Sequence, residues 1–439
     1  MDQALGGNPA IRSQEAEMRR QELEKDIARG RHFPKVDLSA GYTRYAHPTL
    51  VTPIREVGVF PPLDRDIWNA GVVFSLPLYA GGKLVAGEHL AEHNRQIAAE
   101  SLRASGQDLL FNVVVTYTKA LQFRHLQKAL ALRIRSLEQE EASITQRLSE
   151  GRAAKLDLIR LQTQLSQARH DLLAVEQGER NALALLAALL GRQDKLPPLA
   201  EMEPTTVSVP GSREEALARA AVRRPDMLRA QAVGRAAAAQ ADIARAEQLP
   251  QVNLVGKIQT ASGSDLKNFD DGQIGVQVVL PLFDGSIRRR RVDQANLERR
   301  RGELLEEETR NQLVSEIEQA YGGLTESRSR LDVALQGERE AQEALRIEKL
   351  RYGNGESTIT DLLGAEAALW GATVSRLQAG YDVAAHQARL LRAMGELSPD
   401  SFKPRPAGLV TPGETGAHSA APPDADRYLA IHRGQPAQF

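Results

Sequence analysis

The chain has 439 residues, enough for two or three ordinary domains, yet only 4% are aromatic and it is rich in Ala, Leu, Glu, Gln and Arg, the composition of long helices rather than of a compact enzyme core. Its 56 Lys and Arg nearly balance 57 Asp and Glu, which disfavours nucleic acid or an acidic substrate as a partner. With no cysteine, disulfides, thiolate metal sites, a cysteine nucleophile and thiol lipidation are excluded, and no run of about 18 apolar residues offers a transmembrane helix.

In chain order, the first element is a helix with no signal peptide before it. Met1 sits almost directly on a segment whose second copy begins several residues further upstream, so a trimmed or incompletely assigned start is expected. Two strands follow, at about 34–45 and 67–79. In the first, Val36, Leu38, Ala40 and Tyr42 alternate with Asp37, Ser39, Gly41 and Thr43; in the second, Trp68, Ala70, Val72, Phe74, Leu76 and Leu78 form one apolar face. Each run is about ten residues, the length that crosses a bilayer as a tilted strand. In lipid every backbone polar group needs a partner, and four strands cannot close a barrel, so a membrane reading requires several chains to share one.

From Gly82 to about Glu150 there is no proline, and Leu109, Leu110, Val113, Val114, Tyr117, Leu121 and Leu130 recur at helical steps. Such a helix spans roughly 100 Å, too long for a single-domain core. A turn at Gly151 then reverses the chain into a helix from about Ala154 to Leu190, so that 82–190 is a helical hairpin of coiled-coil composition. Four prolines between 192 and 212 mark a linker.

The rest repeats the first half. DIARGRHFPKVDLSAG at Asp26 returns as DIARAEQLPQVNLVGK at Asp242, an offset of 216. FSLPLYAGG around Pro77, RLSEGRAAKLDL with Gly151 and Asp157, and ALLGR at Gly191 return as VVLPLFDGS, RYGNGESTITDL and RAMGE, each at an offset of 204. The 12-residue difference is expected to fall in the loop between the paired strands. The two repeats are thus 1–191 and 213–397. The second contains strands at about 250–260 and 272–283, with Val252, Leu254 and Ile258, and Ile274, Val276, Val278 and Leu280, on apolar faces, and a hairpin over 286–396. From 398 to 439 a Pro-, Gly- and Ala-rich tail reads as disordered.

These features resemble the TolC-like family of outer-membrane efflux proteins. The resemblance runs from Asn8 to Leu397 and is carried by Asn8-Pro9, the FPKVDLSAGY segment, the SLPLYAGG and VLPLFDGS junctions, and the paired RLSEG and RYGNG turns. It implies an α+β membrane protein of the channel-tunnel type: two structural repeats, four membrane strands and long coiled-coil hairpins per chain, and a barrel completed by trimerisation. It also implies a Gram-negative outer-membrane location extending into the periplasm, with no catalysis and no cofactor. The implied partners are a homotrimer, outer-membrane lipid, a periplasmic adaptor, and an inner-membrane pump of RND, ABC or MFS type in an efflux or type I secretion system. Asp361 falls where the family has an aspartate ring at its periplasmic gate, and Asp157 and Tyr352 fall on its linking network. Gly364 and Ser357 depart from the family where a second aspartate and a linking arginine are expected. Asp361 equally fits a capping box with Thr358. The turns with Leu148, Ser149 and Gly151, and with Gly353 and Gly355, are candidate adaptor contacts. Arg288 to Arg291, after the fourth strand, stand where anionic headgroups or plain solvent would meet them.

Two rival functions carry sequence signals of their own. A soluble periplasmic coiled-coil scaffold would use the same helices without a membrane phase. A zinc metallopeptidase would use His89, Glu92 and His93, which match H-x-x-E-H. The equivalent positions Asp293 and Leu297 do not keep that pattern, and no third ligand is evident.

Overall fold

The computed structural model describes residues 1–192, 194, 196–201 and 209–402. Residues 193, 195 and 202–208 of the expected linker, and 403–439 of the expected tail, lie outside the described residues.

The elements come in two matching series. The first is α1 (Asp2–Gly7), α2 (Pro9–Gly30), β1 (Lys35–Leu50), β2 (Leu63–Tyr79), α3 (Lys83–Ser149) and α4 (Lys155–Leu189); the second is α5 (Arg213–Arg223), α6 (Pro225–Ala246), β3 (Gln251–Ser262), β4 (Asn268–Val279), α7 (Ile287–Asn354) and α8 (Ile359–Ala393). The single opening helix expected for each repeat is in fact two. Asn8-Pro9 and Arg224-Pro225, again 216 apart, break it, because proline without an N–H suits the first position of a new helix and not the interior of one. The strands of the first hairpin have 16 and 17 residues against 12 and 12 in the second, so the 12-residue difference lies in strand ends as well as in the loop. The disorder expected from 398 also begins later. Pro399–Phe402 form a 3₁₀ turn in which Ser398 N donates to Ser401 Oγ, and Phe402 packs against the core.

The chain divides into two compact units. One contains Met1–Glu15, Glu100–Leu228 and the residues from Glu308 onward; the other contains Ala16–Ala99 and Arg229–Glu307. The core of the first unit joins Leu110 of α3, Ala216 and Ala220 of α5, Leu313, Ile317 and Leu324 of α7, and Leu390 and Met394 around the end of α8, all at or near full burial. The helix ends there are fixed by glycine. Gly191 and Gly395, 204 apart, close α4 and α8 with φ of +65° and +74°, and a Cβ on Gly395 would meet Arg223 O at 2.7 Å. Both features demand glycine, the first for left-handed backbone and the second for close approach to the α5–α6 joint.

In the second unit the strands form one antiparallel sheet in the order β1-β2-β3-β4. Its register places Tyr42 opposite Trp68, Leu38 opposite Val72, Val72 opposite Ile258 and Leu254 opposite Val276, so the apolar residues of all four strands share one face. Phe74 lies across Gly256, where any side chain would overlap its ring. The other face carries Asp37, Asn69, Lys257, Gln259, Gln273 and Gln277. No helix among the described residues is long and apolar enough to cross a membrane.

Candidate functional site

Two regions have the geometry of a function: the sheet and the tips of the helical hairpins. On the sheet the apolar face is exposed. Leu38 is 81% accessible, Ile258 71% and Ile274 72%, a pattern that water penalises and hydrocarbon does not. Tyr42 and Trp68 stack at 4.6 Å at one end of this band, and Phe33, Tyr79 and Phe283 stand exposed at the other. Between Trp68 and Tyr79, β2 runs about 36 Å, which at a tilt of about 45° corresponds to the ~25 Å apolar band of a membrane barrel bounded by aromatic girdles. β1 and β4 are the sheet's edges and need further strands beside them once water is gone.

At the hairpin tips the two turns are built alike. Gly151 N and Arg152 N donate to Leu148 O and Arg147 O, and Gly355 N and Glu356 N donate to Tyr352 O and Arg351 O, with Gly151 and Gly355 at φ of +74° and +79°. Ser149, Gly151 and Gly355 are exposed, whereas Leu148 is half-buried. Gly353 belongs to the last turn of α7 rather than to the loop, just as its equivalent Ser149 ends α3, and α7 runs one residue further.

Asp361 is exposed in the first turn of α8. It accepts from Thr358 N and Thr358 Oγ1, while its own N–H donates to Thr358 Oγ1, so the capping box is formed. The Thr358 hydroxyl holds its carboxyl below the usual carboxylate range, so the residue is both a cap and a fixed negative charge. Asp157 plays the same capping part for α4 through Ala154 N. Tyr352 is half-buried, and burial raises its hydroxyl, helped by the nearby charge of Asp157. Arg147 covers its ring at 5.4 Å. Among the described residues no hydrogen bond joins Asp157 to Tyr352. Ser357 contacts Glu348 and Asp361, and Glu348 also pairs with Arg351.

The direct links between the hairpins of the two repeats were not evident from the sequence. Arg160 Nη1 of α4 donates to Thr360 Oγ1 of α8 at 2.7 Å. Further along, Lys349 Nζ of α7 donates to Ser136 Oγ of α3, which donates to Glu366 Oε1 of α8. Glu366 is only 6% exposed, its Oε2 has no partner among the described residues, and burial raises its carboxyl. Beneath these links an apolar seam of Leu137, Ile144, Leu161, Leu165, Ile359 and Leu362 draws on α3, α4 and α8. Nothing in the sequence singled out Glu366: a carboxylate in a long amphipathic helix is the one signal that could have, and it is shared by many solvated residues.

Two of the three H-x-x-E-H residues are otherwise engaged. Glu92 is clasped by Lys25 at 2.7 Å and Arg95 at 2.9 Å, and its hydrogen bond from Arg95 holds the carboxyl at about 2. Such a group is a poor general base near neutrality. His93 Nδ1 faces Gln96.

The chain's similarity to known proteins points the same way as this geometry. Residues 1–192 and 216–396 match the family described as outer membrane efflux protein. Protein CyaE of Bordetella pertussis is 28% identical over 406 residues, covering 90% of this chain and 83% of the relative. The outer membrane efflux protein BepC of Brucella suis is 23% identical, with 91% and 85% covered. A membrane protein of Pseudomonas aeruginosa has the same fold, with a TM-score of 0.79 at 22% identity and coverage of 90% and 92%.

Proposed function

The chain belongs to the outer membrane efflux protein family, and from that premise we propose that three copies share one twelve-stranded barrel continued by a tunnel of helical hairpins. It is an outer-membrane channel and not an enzyme. The observation that supports the shared barrel is the four-stranded sheet itself, with one apolar face, one polar face and two open edges. Four strands per chain are too few to close around a water-filled lumen, and closure by identical neighbours satisfies β1 and β4 at once.

In this reading the polar face lines the lumen and solutes leave passively through it. The energy comes from an inner-membrane pump of RND, ABC or MFS type, reached through a periplasmic adaptor that contacts Leu148, Ser149, Gly151, Gly353 and Gly355. The gate is formed by Asp361, Asp157 and Tyr352, joined by Arg160–Thr360. Asp361 contributes the charge that a passing cation meets, and its capping bonds hold that charge in place.

The test is the purified full chain in detergent and in planar bilayers. A trimer by light scattering and discrete single-channel steps are expected. A monodisperse monomer that needs neither detergent nor lipid would sink the reading and leave the soluble scaffold in its place.

A further inference from the structure

The start of α7 carries a feature that its repeat partner lacks. Ile287 to Arg291 correspond, 204 residues on, to Lys83, Leu84, Val85, Ala86 and Gly87 at the start of α3, so four consecutive arginines stand where the other copy has two aliphatic residues, an alanine and a glycine. The helix therefore forms without them, and their presence needs another cause.

Their position is set by the strand before them. The apolar face of β4, with Ile274, Val276 and Val278, continues through exposed Leu280 and Leu282, 50% and 88% accessible, to Phe283 at 89%. The chain then reverses at Gly285 and Ser286, both left-handed, and α7 begins. Four helical residues rise about 6 Å. The headgroup layer on each side of a bilayer is about 5–8 Å deep. The arginines thus occupy the layer next to the apolar band. Four successive helical positions are about 100° apart, so whichever side of α7 meets lipid displays a guanidinium.

Not all four charges are free. Asp284 faces Arg288 at 3.5 Å, and Glu247 holds Arg291 at 3.3 Å together with Lys83. Arg290 only approaches Asp293 at 3.5 Å with its side chain 82% exposed, and Arg289 has no ion pair among the described residues. Arginine presents a planar donor fork to phosphate oxygens, and the N-terminus of α7 adds a partial positive charge at the same level.

We propose that Arg289 and Arg290, supported by Arg288 and Arg291, bind the phosphate of an anionic phospholipid headgroup at the periplasmic face of the membrane. This rests on the outer-membrane reading of the sheet. Each arginine beside an anionic surface is worth about fivefold in lipid preference, and the effect shrinks as salt shortens the Debye length.

The experiment is electron paramagnetic resonance of the full chain reconstituted in phosphatidylcholine, with trace spin-labelled phosphatidylglycerol or phosphatidylcholine. The wild type should immobilise the phosphatidylglycerol label several-fold more strongly, and 0.5 M NaCl should reduce that preference. R289Q/R290Q should bring the ratio close to one with the oligomer intact on a native gel, while R300Q/R301Q, about 16 Å further along α7, should leave it unchanged. A preference that survives R289Q/R290Q overturns the inference. So does an oligomer lost in that variant with the preference unchanged, which assigns the arginines to a subunit contact. If neither label is immobilised by any form of the chain, the membrane reading itself fails and takes the inference with it.

Discussion

Lys349 and Glu366 offer the sharpest test of how the two hairpins are held. Glu366 sits on α8 with Lys349 of α7 at 3.6 Å, Ser136 of α3 hydrogen-bonded to it, and the charges of Arg133 and Glu140, also on α3, within electrostatic reach. Its carboxyl is raised by burial, which outweighs Lys349. A raised acid binds its proton more tightly folded than unfolded, so the folded state loses stability as pH climbs from the unfolded value through the folded one. The limiting slope is about 1.4 kcal/mol per pH unit for one proton. Glu366→Gln should therefore gain stability relative to wild type as pH rises from 4 to 8. Lys349→Met should do the opposite. At pH 8 it leaves a buried carboxylate without its cation, a change that costs about 3–5 kcal/mol for a fully buried pair and about half that here, since Lys349 is 38% exposed. Below pH 4.5, where Glu366 is protonated, most of that cost should disappear. Helix unfolding followed by circular dichroism at 222 nm in detergent, across this pH range, measures both curves. Parallel, pH-independent offsets for the two variants would show that Glu366 does not titrate across the fold and would refute the reasoning.

Other consequences follow from the same geometry. Asp361→Ala removes both the N3 carboxylate of the capping box at the start of α8 and a charge at the proposed gate; single-channel records should show altered conductance or cation preference, and identical records would defeat the gate assignment. Arg160→Ala with Thr360→Val should show a coupling of about 0.5–1.5 kcal/mol in a double-mutant cycle on unfolding, whereas strict additivity would mean that the bond contributes nothing. Gly395→Val forces left-handed backbone onto a β-branched residue and drives Cβ into Arg223 O, so the melting temperature should drop, whereas Gly364→Ala, at an open position inside α8, should raise it slightly. His89→Ala with His93→Ala should leave zinc content and channel activity as they were; stoichiometric zinc lost in that variant would revive the peptidase reading.

The long elements were legible because their signals are redundant. Helix α3 was expected from Gly82 to Glu150 and spans Lys83–Ser149, since many residues without proline vote for one period. The two faces of the sheet were legible for a related reason: a period of two, repeated in four strands, admits one register in which apolar residues meet. Boundaries set by single residues were not. β1 continues to Leu50 past the expected end at 45, although His47 and Pro48 interrupt the pattern, and its register with β2 is irregular there. The break at Arg224-Pro225 was missed because the flanking sequences are both strongly helical and only the proline separates them. The site was the least legible part. The capping box of Thr358 and Asp361 was legible, because a cap is a local matter of three residues, whereas the capping part of Asp157 on α4 was not read from the sequence. Arg160–Thr360 and Ser136–Glu366 join positions about 200 residues apart, and nothing local in either segment marks its partner.

The open edges of the sheet have a genetic consequence. If three copies share one barrel as proposed, no subunit owns a complete wall, and β1 of one chain is as necessary to its neighbour as to itself. A substitution that spoils either edge is then felt by every copy in the assembly, so in a cell making both forms the defective chain suppresses the intact one. Lesions at the hairpin tips, which each chain folds for itself, should instead behave as ordinary recessive losses.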